Sequence, residues 1–142
     1  FMKLIRMLQK AHAAEWAAYH AYEGHWRSVS DEEEREEIRS IASEELSHIG
    51  EIKAILKKFN SQPSERRDRI YTYLGFFIGF LCHHTGRYWP MRIAQLMERI
   101  GSSAYKDIAE EAYREGYIDL YNQLLVMQKT EEVHEEYFRG KR

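Results

Sequence analysis

The chain has 142 residues and a mass of 17.0 kDa, a size that fits one compact domain. Its 21 Lys and Arg against 23 Asp and Glu leave a formal charge of −2, which argues against bulk-charge binding of nucleic acid or of an anionic membrane. With 44% hydrophobic residues whole-chain disorder is excluded, and the single cysteine, Cys82, excludes an internal disulfide or a zinc–cysteine cluster.

One thiol fits a reducing compartment. Lys3, Arg6 and Lys10 interrupt the early apolar residues, so no signal-peptide pattern opens the sequence. A 3.5–3.6-residue apolar period recurs throughout, and no stretch alternates long enough to read as a strand. The spacing predicts an all-α bundle. A first helix covers about Lys3–Trp26. Ser30 and Glu33 form a capping box for a second helix that runs to about Phe59, with an acidic first turn and Lys57 and Lys58 at its end. A polar connection, Asn60–Arg67, follows. Ile70–His84 is a short, strongly apolar crossover helix, too short to span a bilayer. Pro90 fits the first turn of a further helix that continues to about Lys106 or beyond, and after a weak point at Gly116 the last helix covers Tyr117–Phe138.

Acids interrupt the seams that should face the core. The second helix places Ile38, Ile41, Glu45, His48, Ile52 and Ile55 on one stripe, and the last helix repeats the pattern with Leu120, Leu124, Met127, Glu131, His134 and Phe138. The first helix offers Leu4, Leu8, Ala11, Glu15, Ala18 and Tyr22. The helix after Pro90 offers Met91, Ala94, Glu98, Gly101, Tyr105 and Ile108. Four buried carboxylates together are costly unless cations compensate them. Four ionised glutamates carry −4 and two divalent ions supply +4. Glu and His at i, i+3 lie side by side on one helix face, where both reach a metal. Carboxylate and imidazole donors suit a pair of iron ions, or of manganese ions. With 19 glutamates in the chain, about one of the seven histidines would follow a Glu by three residues by accident, so the pairs alone are weak. The order is stronger: lone Glu15, Glu45/His48, lone Glu98, Glu131/His134, which is the ligand pattern of ferritin-like dimetal four-helix bundles.

These residues resemble the demethoxyubiquinone hydroxylase family of ubiquinone biosynthesis. His12-Ala-Ala-Glu15 followed by Tyr22 and Gly24 is similar to the family's His-x-Gly-Glu and Tyr-x-Gly. Glu45-Leu-Ser-His48 and Glu131-Glu-Val-His134 match its two Glu-x-x-His motifs, and Leu74-Gly-Phe-Phe-Ile-Gly79 is similar to its Leu-Gly-Phe-x-x-Gly segment. The likeness covers about residues 8–138. It implies a ferritin-like bundle with a crossover helix and a diiron centre held by Glu15, Glu45, His48, Glu98, Glu131 and His134. It also implies dioxygen and an apolar quinol as substrates. Tyr105 falls where the family has a tyrosine near the metals. Two departures bear on the substrate. Ala104 stands where the family usually has a histidine, and family members commonly continue into a further apolar helix, whereas this sequence runs eight residues past His134. The expectation is therefore a complete dimetal site with an incomplete quinone-hydroxylating apparatus, so the resemblance carries fold and metals further than substrate.

Tyr22 and Tyr105 are candidates to gate electron or proton flow, with plain core packing as the alternative. His12, one turn before Glu15, is a candidate to hydrogen-bond a ligand. His20 and His25 read as surface or interface residues, His83 and His84 as helix-end polar groups, and Cys82 as packing. The apolar segment Tyr71–Leu81 either lines a channel, rests on a membrane, or closes the bundle or a homodimer face. The expected location is cytoplasmic, with peripheral contact at the inner face of a membrane as a further option. Three functions compete: a quinol-hydroxylating diiron monooxygenase, a rubrerythrin-like oxidase or peroxidase, and a non-enzymatic iron-binding bundle.

Overall fold

The computed structural model describes residues 1–141, and among them every regular element is helical: α1 (Met2–Ser28), α2 (Glu32–Lys58), α3 (Glu65–Cys82), α4 (Tyr88–Arg114) and α5 (Ile118–Arg139). Short turns fold α1 against α2 and α4 against α5 as antiparallel pairs. α3 crosses over alongside α1, with Asp68 near His12 at one end and Gly79 near Gly24 at the other. This crossover delivers α4 antiparallel to α1, so the four long helices enclose one core. The result is an all-α, ferritin-like bundle with an additional apolar helix, as the seams imply.

The caps explain where the expected boundaries move. Asp31, not Ser30, caps α2: its side chain accepts from the Glu34 amide at 2.9 Å, which places Glu32–Glu34 in the first turn against the helix dipole. Ser64 caps α3 by accepting from the Arg67 amide, so α3 begins five residues before the expected Ile70. Its first turns are polar and lack an apolar period. Gly116 adopts φ +86°, a left-handed conformation that favours glycine, and ends α4 as expected.

Two core regions flank the middle of the bundle. One is built around Leu8, Ile52, Leu56, Ile108 and Leu124, the other around Tyr22, Ile38, Met91 and Phe138. Between them lie the acids. α3 packs unusually close to α1: a Cβ on Gly75 would stand 2.4 Å from the Ala17 carbonyl oxygen, and one on Gly24 would stand 2.5 Å from the Gly79 Cα. Glycine is required for that approach. Away from this contact α3 leaves Ile70, Tyr73, Phe77 and Phe80 exposed, and Phe76, half-exposed, flanks α1 against His20. No helix among the described residues is long and apolar enough to cross a membrane.

Candidate metal centre

Four helices each carry their acid to the same level of the core. Glu15, Glu45, His48, Glu98, Glu131 and His134 are all between 1% and 5% exposed. They form two overlapping donor groups, Glu15–Glu45–His48–Glu131 and Glu45–Glu98–Glu131–His134, and within each group one ligand atom per residue lies within 4.8 Å of the others. Glu45 and Glu131 belong to both. The imidazoles are aimed alike. His48 Nδ1 lies 3.2 Å from Glu131 Oε1 and 3.5 Å from Glu15 Oε2, and His134 Nδ1 lies 3.2 Å from Glu45 Oε1 and 3.5 Å from Glu98 Oε1.

Crowding like charges in a dry core perturbs their protonation. Burial pushes the Glu45 carboxyl well above the usual range, and the charges of Glu131, Glu15 and Glu98 add to it. Glu98 and Glu131 are raised too, each first by burial and then by a neighbouring carboxylate. At Glu15 burial is outweighed by the close approach of Glu45 and of the His48 imidazole, and its carboxyl lies below the usual range. At His48 burial opposes the charged ring, but hydrogen bonds to Glu131 and Glu15 prevail and raise it to about 10. Without ions, burial and mutual repulsion bias Glu45, Glu98 and Glu131 towards their protonated forms.

Its donor chemistry fits a metal pair. Glu15 Oε2 and Glu98 Oε2 are buried without a hydrogen-bond partner, as is the Tyr105 hydroxyl. Cations placed among these oxygens would satisfy the carboxylates and replace the protons. Four carboxylates and two imidazoles, with two carboxylates common to both groups, form a hard, oxygen-rich donor set suited to first-row divalent metals.

The two tyrosines sit differently. Tyr22 donates its hydroxyl to Glu98 Oε1 at 2.8 Å, whereas Tyr105 sets its ring edge-on to His48 at 5.8 Å and hydrogen-bonds to nothing among the described residues. Burial first, and the neighbouring carboxylates second, hold both phenols well above their ordinary range. His12 does not reach Glu15. Its Nδ1 pairs with Asp68 Oδ1 at 2.9 Å and ties α1 to α3, because on α1 it faces the crossover helix. His25 is not on the surface: it is 2% exposed beneath Phe138 of α5, and burial lowers it to about 4. Glu44 is a residue that the seams did not reveal. Its Oε2 meets His134 Nε2 at 3.2 Å, a contact that orients the imidazole from behind.

A cavity of about 460 Å³ opens between α1 and α4, with α3 at its rim, and reaches Glu15, Glu45, Glu98 and Glu131. Small side chains make the room: Ala11, Ala14 and Ala18 on one wall, Gly101 and Ala104 on the other. Met7, Tyr71, Leu74, Ile78, Met97 and Ile100 make the entrance apolar.

No curated protein and no solved structure matches the chain. A family model described as ubiquinone biosynthesis protein COQ7 matches residues 2–139, nearly the whole length, and so takes in all four acid-bearing helices and the crossover between them. By that match this chain belongs to the COQ7 family of ubiquinone biosynthesis.

Proposed function

We propose that the chain is a diiron monooxygenase that uses dioxygen to hydroxylate a quinol or a related apolar ring. The observation that carries this reading is the junction of two features: overlapping metal-donor groups form the floor of a deep cavity whose walls are apolar. A pocket of this volume and polarity suits a small organic substrate. An iron store or a simple oxidase needs no such room.

Glu15, Glu45, Glu98, Glu131, His48 and His134 would hold the ions. Reduced iron bound there would supply the electrons and Lewis acidity that dioxygen activation requires. The chain itself contributes position and dryness. Glu45 and Glu131, common to both groups, would offer donors to either ion. Tyr22 keeps its proton on the hydroxyl and holds Glu98 Oε1 in place through it. Ala104 and Gly101 leave space for a flat ring beside the carboxylates, and the apolar entrance favours an uncharged substrate over water. The exposed apolar face of α3 next to that entrance supports peripheral contact with a membrane surface, from which a greasy substrate could enter.

Anaerobic loading with ferrous iron, followed by a quinol lacking one ring hydroxyl and by isotope-labelled dioxygen, tests the reading. The expected product carries one labelled oxygen on the ring. Peroxide turnover without ring oxidation would replace this reading with the oxidase or peroxidase one, and iron uptake with no turnover would leave a storage bundle.

A further inference from the structure

Tyr22 links the carboxylate cluster to a second cavity. Its hydroxyl donates to Glu98 Oε1, and its ring stacks on Phe138 with centroids 5.5 Å apart and planes 20° apart. Phe138 in turn stacks on His25 at 6.1 Å and 23°. All three rings are at most 2% exposed. His25 borders a cavity of about 270 Å³ at the end of the bundle where α1 turns into α2 and α3 turns into α4. This cavity is polar, with Ser28, Asp31 and Glu34 on its wall, and it shares no lining residue with the apolar one. No side-chain hydrogen bond to the His25 ring is formed among the described residues, and the ring borders this cavity, where a guest can reach it.

We propose that the Tyr22–Phe138–His25 stack is the path by which electrons reach the metal pair from a small polar one-electron donor seated in the end cavity. The proposal rests on the diiron reading for its terminus. Electron tunnelling weakens exponentially with distance and most steeply across gaps, and stacked rings shorten the gaps. Every ligand is buried, and the apolar cavity is the way in for the substrate, so a donor needs an entrance of its own. The stack supplies the continuous ring contact from the cluster to that entrance. Among the described residues Tyr105, the other phenol at the site, has His48 as its one ring neighbour. Each transfer removes one electron from the donor and reduces one iron from the ferric to the ferrous state. Two transfers restore the reduced pair. No bond forms or breaks along the rings, and any proton that the donor sheds leaves through the open cavity mouth.

The path can be tested in metal-free protein, because electronic coupling is the same in both directions. Ser30, exposed at the cavity rim, is changed to cysteine in a Cys82→Ser background and alkylated with a ruthenium bipyridyl photosensitiser. Flash oxidation of the ruthenium with a hexaammine ruthenium quencher then draws an electron from Tyr22 while its hydroxyl proton passes along the hydrogen bond to Glu98 Oε1, and the product is read as a tyrosyl radical by absorbance and electron paramagnetic resonance. In a Trp26→Phe, Tyr88→Phe, Tyr137→Phe background, which removes the other oxidisable rings near the label, the radical should vanish in Tyr22→Phe, and it should form at least an order of magnitude more slowly in Phe138→Leu and in His25→Leu. A radical that survives Tyr22→Phe overturns the proposal, as does an unchanged rate in whichever of the two other variants folds. In iron-loaded protein, reduction of the ferric form by methyl viologen radical should slow in the same variants at equal iron content. A wild-type chain that takes up no iron would sink the diiron reading alone, since the radical experiment uses none.

Discussion

Glu45 and Glu131 are each members of both donor groups, whereas Glu15 and His48 belong to one group and Glu98 and His134 to the other. The six residues are therefore unequal. Glu131→Ala or Glu45→Ala removes a donor common to both groups and, on the diiron reading, should cut iron content from near two per chain to well below one. Glu15→Ala and His134→Ala each weaken one side and should leave about one ion bound. Elemental analysis after anaerobic loading and desalting reads this directly. Two ions retained by the Glu45→Ala, Glu131→Ala double variant would remove the site from these residues.

The same cluster strains the metal-free chain. Burial and the neighbouring carboxylates raise Glu45, Glu98 and Glu131, and His48 is raised to about 10 although burial opposes its charge. A group whose folded pKa is raised contributes stability below its unfolded value and loses it as pH rises through the folded one. The metal-free protein should thus begin to lose stability above about pH 4.5, where the raised carboxyls titrate in the unfolded chain, and lose more between about pH 6.5 and 10, the window of His48. Glu45→Leu removes a buried acid at similar volume. It should stabilise the metal-free form at pH 8 by about 1–4 kcal/mol while abolishing iron binding. Urea melts at pH 6 and pH 8 measure both effects, and a less stable Glu45→Leu protein at pH 8 would contradict this account of the cluster.

His25 works with the opposite sign. Burial lowers its imidazole from 6.5 to about 4, so its contribution is whole above pH 6.5 and fades as pH falls towards 4. The linked loss is about 3 kcal/mol over that interval. In His25→Leu this acid arm of the stability profile should shrink by a comparable amount. An arm of unchanged steepness would mean that His25 charges freely in the folded protein.

The acid-bearing seams were legible because a bundle obeys one period. Of the 24 positions on the four stripes, only Ala18 and Gly101 fall short of full burial, and both border the apolar cavity. His25 was within reach of the same rule, since continuing the first stripe three residues beyond Tyr22 lands on it. The helix expected to reach Trp26 takes in His25, but a histidine with no acid partner on the seam reads as a surface group. Glu44 lay outside the rule: it is exposed by its own helix period and matters only because α5 brings His134 alongside. The start of α3 was hidden for a related reason. Its first turns, Glu65–Arg69, present polar residues to solvent, so the Ser64 cap was the one signal available, and Pro63 beside it reads as a loop.

The close approach of α1 and α3 yields a paired test. Gly75→Ala would put a methyl group 2.4 Å from the Ala17 carbonyl oxygen, and the two helices must part to admit it. Overpacking of this kind costs about 1–3 kcal/mol. Gly50, exposed in the middle of α2, has nothing within 4 Å of the point where a methyl group would sit, so Gly50→Ala should gain about 0.5–1 kcal/mol from helix propensity alone. Denaturation midpoints that move in opposite directions would bear out the glycine contact. A neutral Gly75→Ala would show that α3 rides loosely on α1.

Ala104 offers the most selective test of the apolar cavity. It lines the wall one turn beyond Gly101, and the distinction between the two matters: a Cβ at Gly101 would stand 3.4 Å from the Glu131 carboxyl carbon, so any larger residue there presses on a metal ligand. At Ala104 added bulk goes into the cavity itself. Ala104→Phe should therefore leave iron content near the wild-type level while occupying much of the space for a ring. Quinol binding, followed by the quenching of intrinsic fluorescence, should weaken by about 10-fold or more, since each 1.4 kcal/mol of lost contact is worth a factor of ten. Ala104→Ser, which adds a hydroxyl and almost no volume, should bind far closer to wild type. If Ala104→Phe binds the quinol as tightly as the parent, the substrate does not enter between α1 and α4, whatever the metals do.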